Sequence, residues 1–197
     1  PVIIVLHRVL TTPTPGQPNG SSSIVGIAPP PAPNLTRGRY ETSFSLQLTN
    51  ALPGSTVRYT LNGDPPTAST GQVYSGPLQV ETTTTLRAAV FASGYLPSYI
   101  ITHTYIFIED VLQQPPNPPG FPSNWGTASG FPNNIIPADY EMDPEIVHDP
   151  LYSADMKAAL EALPILSIVM KTEDMFEPAN GIYAHTRSRG PEWERPC

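Results

Sequence analysis

Proline limits this chain more than any other residue. It occupies 26 of 197 positions, and with 14 glycines it makes about a fifth of the sequence turn-forming or bound to extended backbone. Proline fixes φ and has no backbone N–H to give, so it interrupts helix ladders and central strands alike. A helical bundle is disfavoured, and short strands joined by stiff loops are the expected material. The prolines are also clustered: seven fall between Pro13 and Pro33, and nine between Val111 and Pro150.

Charge narrows the partners. Charged residues are 14% of the chain, the net charge is −7 and only Lys157 and Lys171 are lysines. A surface that neutralises phosphates needs clustered Lys and Arg, so nucleic acid and anionic membrane are poor partners. Residues 1–110 carry five basic and five acidic side chains, whereas 111–197 carry five basic and twelve acidic ones. This asymmetry predicts two regions with different roles. Cys197 is the lone cysteine, which excludes an internal disulfide, a zinc cluster or a Cys-x-x-Cys redox pair. Val2–Leu10 (VIIVLHRVL) is too short to span a bilayer and contains His7-Arg8; it reads as a strand, with no membrane span expected. Both ends of the chain read as interior to a longer protein.

The expected order is mainly β. Residues 1–10 read as the last strand of a preceding β-domain. Residues 11–36 have no hydrophobic period and read as a semi-rigid proline-rich linker, carrying a formal glycosylation sequon at Asn34-Leu35-Thr36. Residues 37–110 are regular. Phe44, Leu46 and Leu48 alternate with polar neighbours, as do Val57, Tyr59 and Leu61, and Asn62-Gly63-Asp64-Pro65-Pro66 stops the second run. Thr83–Ala92 and Tyr99–Phe107 are β-branched and aromatic. This spacing predicts a small antiparallel Ig- or fibronectin-like sandwich. Its expected core is Phe44, Leu46, Leu48, Val57, Tyr59, Leu61, Leu86, Ala88, Val90, Ile101, Tyr105 and Phe107.

Residues 111–150 form a proline-rich acidic connection. Its large apolar groups, among them Phe121, Trp125 and Phe131, predict an ordered but irregular segment. Residues 151–197 read as the truncated start of an α/β domain. A helix is expected over Ser153–Leu163 with Ser153 as N-cap, a buried strand over Ile165–Met170, and a further strand from Gly181-Ile182-Tyr183.

Chemistry is sparse. The chain has no Gly-x-Ser-x-Gly elbow, no His-Glu-x-x-His and no phosphate loop ending in Gly-Lys-Ser/Thr. His103 reads as a surface strand residue, and His7, His148 and His185 as solvated or loop-packing residues. No catalytic residue and no cofactor follow. Asp139, Glu141 and Asp143 alternate, and on an extended chain they could share a calcium ion. Pro144 and Pro150 stand where an EF-hand needs Gly and Glu, so the competing reading is a solvated or Arg-paired loop. Tyr74, Tyr95, Tyr99 and Trp125 could stack on sugar rings, although tyrosines in small sandwiches commonly pack.

One stretch is specific. Val57-Arg58-Tyr59-Thr60-Leu61-Asn62-Gly63-Asp64-Pro65-Pro66-Thr67, then Tyr74-Ser75-Gly76-Pro77, Thr84-Thr85-Leu86-Arg87-Ala88 and Gly94-Tyr95-Leu96-Pro97-Ser98, resembles the small β-sandwich at the C-terminus of chitobiase and β-hexosaminidase, over about residues 40–108. Asn62 replaces that family's usual Asp, and Asp64 its usual Ser. The resemblance implies an accessory module and transfers no catalytic residue. Leu163–Val169, Asp174-Met175-Phe176, Gly181-Ile182-Tyr183 and Gly190–Pro196 resemble the entry to a spore-coat CotH-like, kinase-like domain, whose nucleotide and metal motifs would lie beyond Cys197. Thr12–Asn19 is similar to the close of lamin-tail-type β-domains. Together these imply an extracellular or surface-attached bacterial multidomain protein, with partners among its own domains or a cell-surface glycan or protein. The chain itself is then no enzyme, while the longer protein could be a kinase.

Overall fold

A computed structural model describes residues 9–10 and 23–195. Its strands are β1 (Val9–Leu10), β2 (Ser23–Ile24), β3 (Gly26–Ile27), β4 (Ala32–Pro33), β5 (Gly38–Arg39), β6 (Phe44–Leu46), β7 (Leu48–Thr49), β8 (Thr56–Thr60), β9 (Gln72–Val73), β10 (Leu78–Val80), β11 (Thr84–Phe91), β12 (Tyr95–Leu96) and β13 (Ile101–Ile106). After them come α1 (Ile108–Leu112), β14 (Asn124–Thr127), β15 (Ile135–Pro137), α2 (Pro144–Val147), α3 (Ser153–Ala162) and α4 (Thr172–Phe176). The fold is mainly β and of sandwich type. A five-stranded sheet runs in the order β5-β13-β11-β8-β9, with shorter pairings β10-β6, β4-β7 and β3-β12.

The sheet is not wholly antiparallel as expected. β5 joins β13 in parallel, Tyr105 opposite Gly38, and β12 joins β3 in parallel. Both are two-residue pairings between segments far apart in sequence, so the intervening strands supply the returning connection that parallel neighbours need. The expected strand at 2–10 and the lamin-tail-like stretch 12–19 lie outside the described residues, apart from Val9–Leu10, which pairs with β2. Residues 23–33 do not form the spacer expected of them. β3 and β4 lie along the sandwich strands β12 and β7, and Ala28 is buried. Asn34 fastens this run: its Oδ1 accepts the Gln47 N–H at 2.8 Å, and its Nδ2 donates to the Ser45 carbonyl at 3.4 Å.

By compactness the chain divides into two units. The first holds Ser45–Gln79 and Leu86–His103 with the described residues up to Thr36; the second holds Arg37–Phe44, Val80–Thr85 and the described residues from Thr104 onward. In the first unit, Val57 and Tyr59 of β8 and Leu86, Ala88 and Val90 of β11 face the core, as period-2 alternation requires. Ala89 is buried too, so β11 is covered on both faces there. Ser98 replaces a strand partner. Its hydroxyl accepts the Val90 N–H at 2.8 Å and donates to the Tyr99 carbonyl, and its own N–H donates to the Val90 carbonyl.

Two turns are fixed by side chains and glycine. Asn62 Oδ1 accepts the Asp64 N–H and Asn62 Nδ2 donates to Asp64 Oδ2, so the two departures from the family pattern bond each other. Gly63 takes φ 86°, which favours glycine, and its carbonyl accepts from Arg87 Nη1 at 3.0 Å. Leu61, expected in the core, is 44% exposed because β8 ends at Thr60 and the turn begins. Ile101 and Phe44 are half-buried rather than buried.

The second unit has its own aromatic core. Tyr105 is fully buried, its ring 5.3 Å from that of Phe44 and 5.7 Å from that of Tyr40, both edge-on, and Phe44 stacks on Phe107 at 6.2 Å. A second cluster joins segments far apart in sequence. Tyr140 lies 5.1 Å from Phe121, 5.2 Å from Phe176 and 5.7 Å from Trp125, and Trp125 lies 4.9 Å from Tyr183. These rings order the proline-rich 111–150 segment, which also contains the antiparallel hairpin β14–β15.

The C-terminal expectations need three corrections. Ser153 is not the N-cap of α3. Its N–H donates to the Asp149 carbonyl at 2.8 Å, so the preceding turn feeds directly into the helix and Tyr152 takes the cap position. Residues 165–170 form no strand, since no described strand pairs with them, and Leu166 is 85% exposed. Gly181-Ile182-Tyr183 form a turn whose N–H groups at 182 and 183 donate to the carbonyls of Asp174 and Met175 in α4. The short α2 is capped by Asp143, which accepts the Glu145 N–H at 2.9 Å. Asp143→Ala is expected to cost about 1 kcal/mol locally, read as faster amide exchange at Glu145 and Ile146.

Candidate functional site

The residues with binding potential separate by what already occupies them. Tyr74 is engaged by packing: its hydroxyl accepts the Leu48 N–H at 3.0 Å, and its ring meets that of Tyr59 edge-on at 6.4 Å. Trp125 belongs to the other unit. It is half-buried, its indole N–H donates to the Tyr140 hydroxyl at 3.2 Å, and two rings abut it. These contacts show both half-buried side chains already engaged in packing, which leaves them less open to a ligand than an exposed ring.

Tyr95 and Tyr99 differ from them. Tyr99 is 74% exposed, the most open aromatic ring among the described residues whose exposure is large. Tyr95 lines a shallow open basin of about 290 Å³ with Phe91, Pro97, Ser93, Ala92 and Ala68. Ser98 alone turns inward in this stretch; Leu96, Pro97, Tyr99 and Ile100 are exposed, and Tyr95 is half-buried at the basin wall. The basin offers ring faces with a hydroxyl at Ser93, the chemistry that suits the apolar face of a small ligand. Phe91 and Pro97 were not singled out from the sequence, although the Tyr95-x-Pro97-x-Tyr99 spacing was there to be read.

The acidic stretch is not gathered into a site. Asp139 Oδ1 accepts the Glu141 N–H at 3.2 Å, and Asp143 is spent on α2. Among the described residues no three His, Cys, Asp or Glu side chains are placed to hold a metal. The chain bends locally around each aspartate, so Asp139, Glu141 and Asp143 do not alternate along one extended face, and the calcium reading loses its geometric basis. His103 is half-buried in β13 rather than a surface residue, with Nδ1 away from solvent. His185 packs in its loop, 4.8 Å from the Trp193 ring and bonded to the Pro178 carbonyl through Nε2; His148 is exposed, and His7 lies outside the described residues.

A second concavity of about 250 Å³ lies within the second unit. Tyr40, Phe107 and Ile108 contribute apolar surface, while Arg39, Glu41, Glu81, Glu109, Asp110, Lys157 and Glu161 add charge. Its cations are committed. Lys157 pairs with Glu41 at 3.2 Å, and this hydrogen bond, then the Glu41 charge and the weaker fields of Glu161 and Glu109, raise the ammonium pKa. Arg39 donates to the carbonyls of Leu160 and Leu163 and so caps the end of α3. Exposed pairs of this kind contribute little to stability. These residues come from segments more than a hundred positions apart, a juxtaposition no local pattern could signal.

No described helix is long and apolar enough to cross a membrane. Residues 35–102 match the family model of the chitobiase/β-hexosaminidase C-terminal domain, a carbohydrate-binding-like accessory module. The match covers the strands from β5 to the start of β13 and begins and ends a few residues earlier than the resemblance read from the motifs. No curated protein and no solved structure matches the chain.

Proposed function

We propose that this chain is a non-catalytic accessory part, a spacer or adhesion module, of a large secreted or surface-attached bacterial protein. The observation that carries the reading is the match of residues 35–102 to an accessory domain type, whose occurrence in glycoside hydrolases that are exported favours an extracellular setting. Its partners are then neighbouring domains of the same polypeptide or a surface glycan or protein. Incubated with chromogenic N-acetylglucosaminides, or with ATP, Mg²⁺ and acceptor proteins, the chain is expected to turn over none of them. Turnover that scales with chain concentration through successive purification steps would contradict the proposal.

A second reading, carbohydrate binding, is favoured by the open ring of Tyr99 and the basin at Tyr95. Under it, retention of the intact chain on chitin beads should fall roughly 3- to 10-fold in Tyr99→Ala, the range set by the loss of one ring contact. Tyr74→Phe, whose ring stays packed, should change retention little. Equal retention of wild type and Tyr99→Ala removes Tyr99 from this reading. The likeness of residues 163–196 to the entry of a CotH-like domain supports a further possibility for the longer protein, in which the module precedes a kinase-like body.

A further inference from the structure

The chain enters the five-stranded sheet through β5 and leaves it through β13, and these two strands lie side by side in parallel. Tyr105 stands opposite Gly38 and Ile106 opposite Arg39, and the Tyr40 N–H extends the ladder by donating to the Ile106 carbonyl at 2.8 Å. Because the strands share one direction, the segment before β5 and the segment after β13 depart from opposite ends of the ladder. Tension along the chain then draws β5 one way and β13 the other, each along its own axis. All rungs are strained at once. An antiparallel pair in the same place would send both segments off at one end, and its rungs would open one after another.

We propose that the β5–β13 pair is a mechanical clamp through which the module carries tension along the polypeptide. The inference rests on the spacer reading above and adds a load-bearing role to it. Rings lock the same register. Tyr40 and Phe44 of the entering segment meet the buried Tyr105 of β13 edge-on at 5.7 and 5.3 Å, and Phe44 stacks on Phe107 at 6.2 Å. Sliding one strand past the other would drag close-packed rings across one another. All of these residues belong to the second unit. The ladder closes a loop of 66 residues, Tyr40 to Tyr105, that contains every strand from β6 to β12, so tension applied outside the loop does not reach them until the ladder parts.

Single-molecule pulling on the full chain tests this, with maleimide handles on two thiols introduced in a Cys197→Ser background. Arg37→Cys with Glu109→Cys loads the ladder from opposite ends, whereas Thr42→Cys with Glu109→Cys loads it from one end. The two variants differ only in the place of one handle. All three positions are exposed, and equal midpoints in urea verify that the thiols leave the fold alike. Gln113→Cys, also exposed, takes the place of Glu109→Cys if the midpoints differ. Parting of the ladder is recognised by a length gain of about 21–23 nm, the extended length of the closed loop less the spacing of the strands. At one loading rate the opposite-end geometry is expected to need roughly twice the force or more, because forced unfolding reports the barrier along the pulled direction rather than the equilibrium stability. Equal or lower force in that geometry overturns the clamp and leaves the accessory reading standing, whereas enzymatic turnover would remove that reading without altering the forces.

Discussion

Tyr105→Ala is expected to destabilise the protein by about 3–5 kcal/mol, because it empties a fully buried aromatic site that the rings of Tyr40 and Phe44 meet edge-on. The same residue gives stability an alkaline limit. Burial first, and then the neighbouring Tyr40 phenol, push the Tyr105 pKa up to about 12. Between pH 10 and 12 the unfolded chain gives up this proton while the folded chain retains it, so stability falls as pH rises. The loss is up to about 2 kcal/mol across that window, and none of it is felt below pH 9. Tyr59, also raised by burial, adds to the slope in the same direction. Urea unfolding at pH 8 and pH 11 should show a much smaller difference for Tyr105→Phe than for wild type. An identical difference would mean that the Tyr105 phenol titrates normally in the folded state.

Gly71→Ala is expected to cost about 2–4 kcal/mol, from two sources that a control separates. Gly71 takes φ 85°, and a Cβ there would stand 2.9 Å from the Tyr59 carbonyl oxygen, a backbone atom of the central strand β8 that cannot swing aside. Gly54 takes φ 70° in open space, so Gly54→Ala carries only the conformational cost of about 1–2 kcal/mol. The gap between the two midpoints in urea, at equal m, measures the clash. Equal midpoints would show that the strand yields.

What the sequence disclosed follows the range of the forces involved. The alternations at Leu46–Leu48, Val57–Tyr59 and Leu86–Val90 are local and period-2, and they locate the sandwich core because each strand has one face to bury. Ala89 escaped because a small residue on the outer face of a strand looks neutral until something covers it. Leu61 was misplaced because alternation says nothing about where a strand stops; the Asn62–Asp64 bonds decide that. The run at 165–169 has a buried strand's composition but no described partner, and composition cannot supply one. At the candidate site, exposure was the missing quantity. Tyr74, Tyr95, Tyr99 and Trp125 are equivalent as letters, and only the Leu48 amide at Tyr74 and the ring cluster at Trp125 distinguish them. The alternate carboxylates at 139–143 looked convergent only while the segment was taken as straight.

Asn34 already spends its amide on the backbone of residues 45 and 47, and this bears on production in a eukaryotic host. An oligosaccharyltransferase attaches its sugar to Nδ2, which is exposed and donates to the Ser45 carbonyl at 3.4 Å; the glycosylated amide keeps one N–H and the Oδ1 that accepts from Gln47, so the clasp that aligns the N-terminal run with the sheet can be retained. A glycan at the Asn34-Leu35-Thr36 sequon is therefore compatible with the folded N-terminal run, and its core sugar would stand beside the strand that carries Ser45 and Gln47.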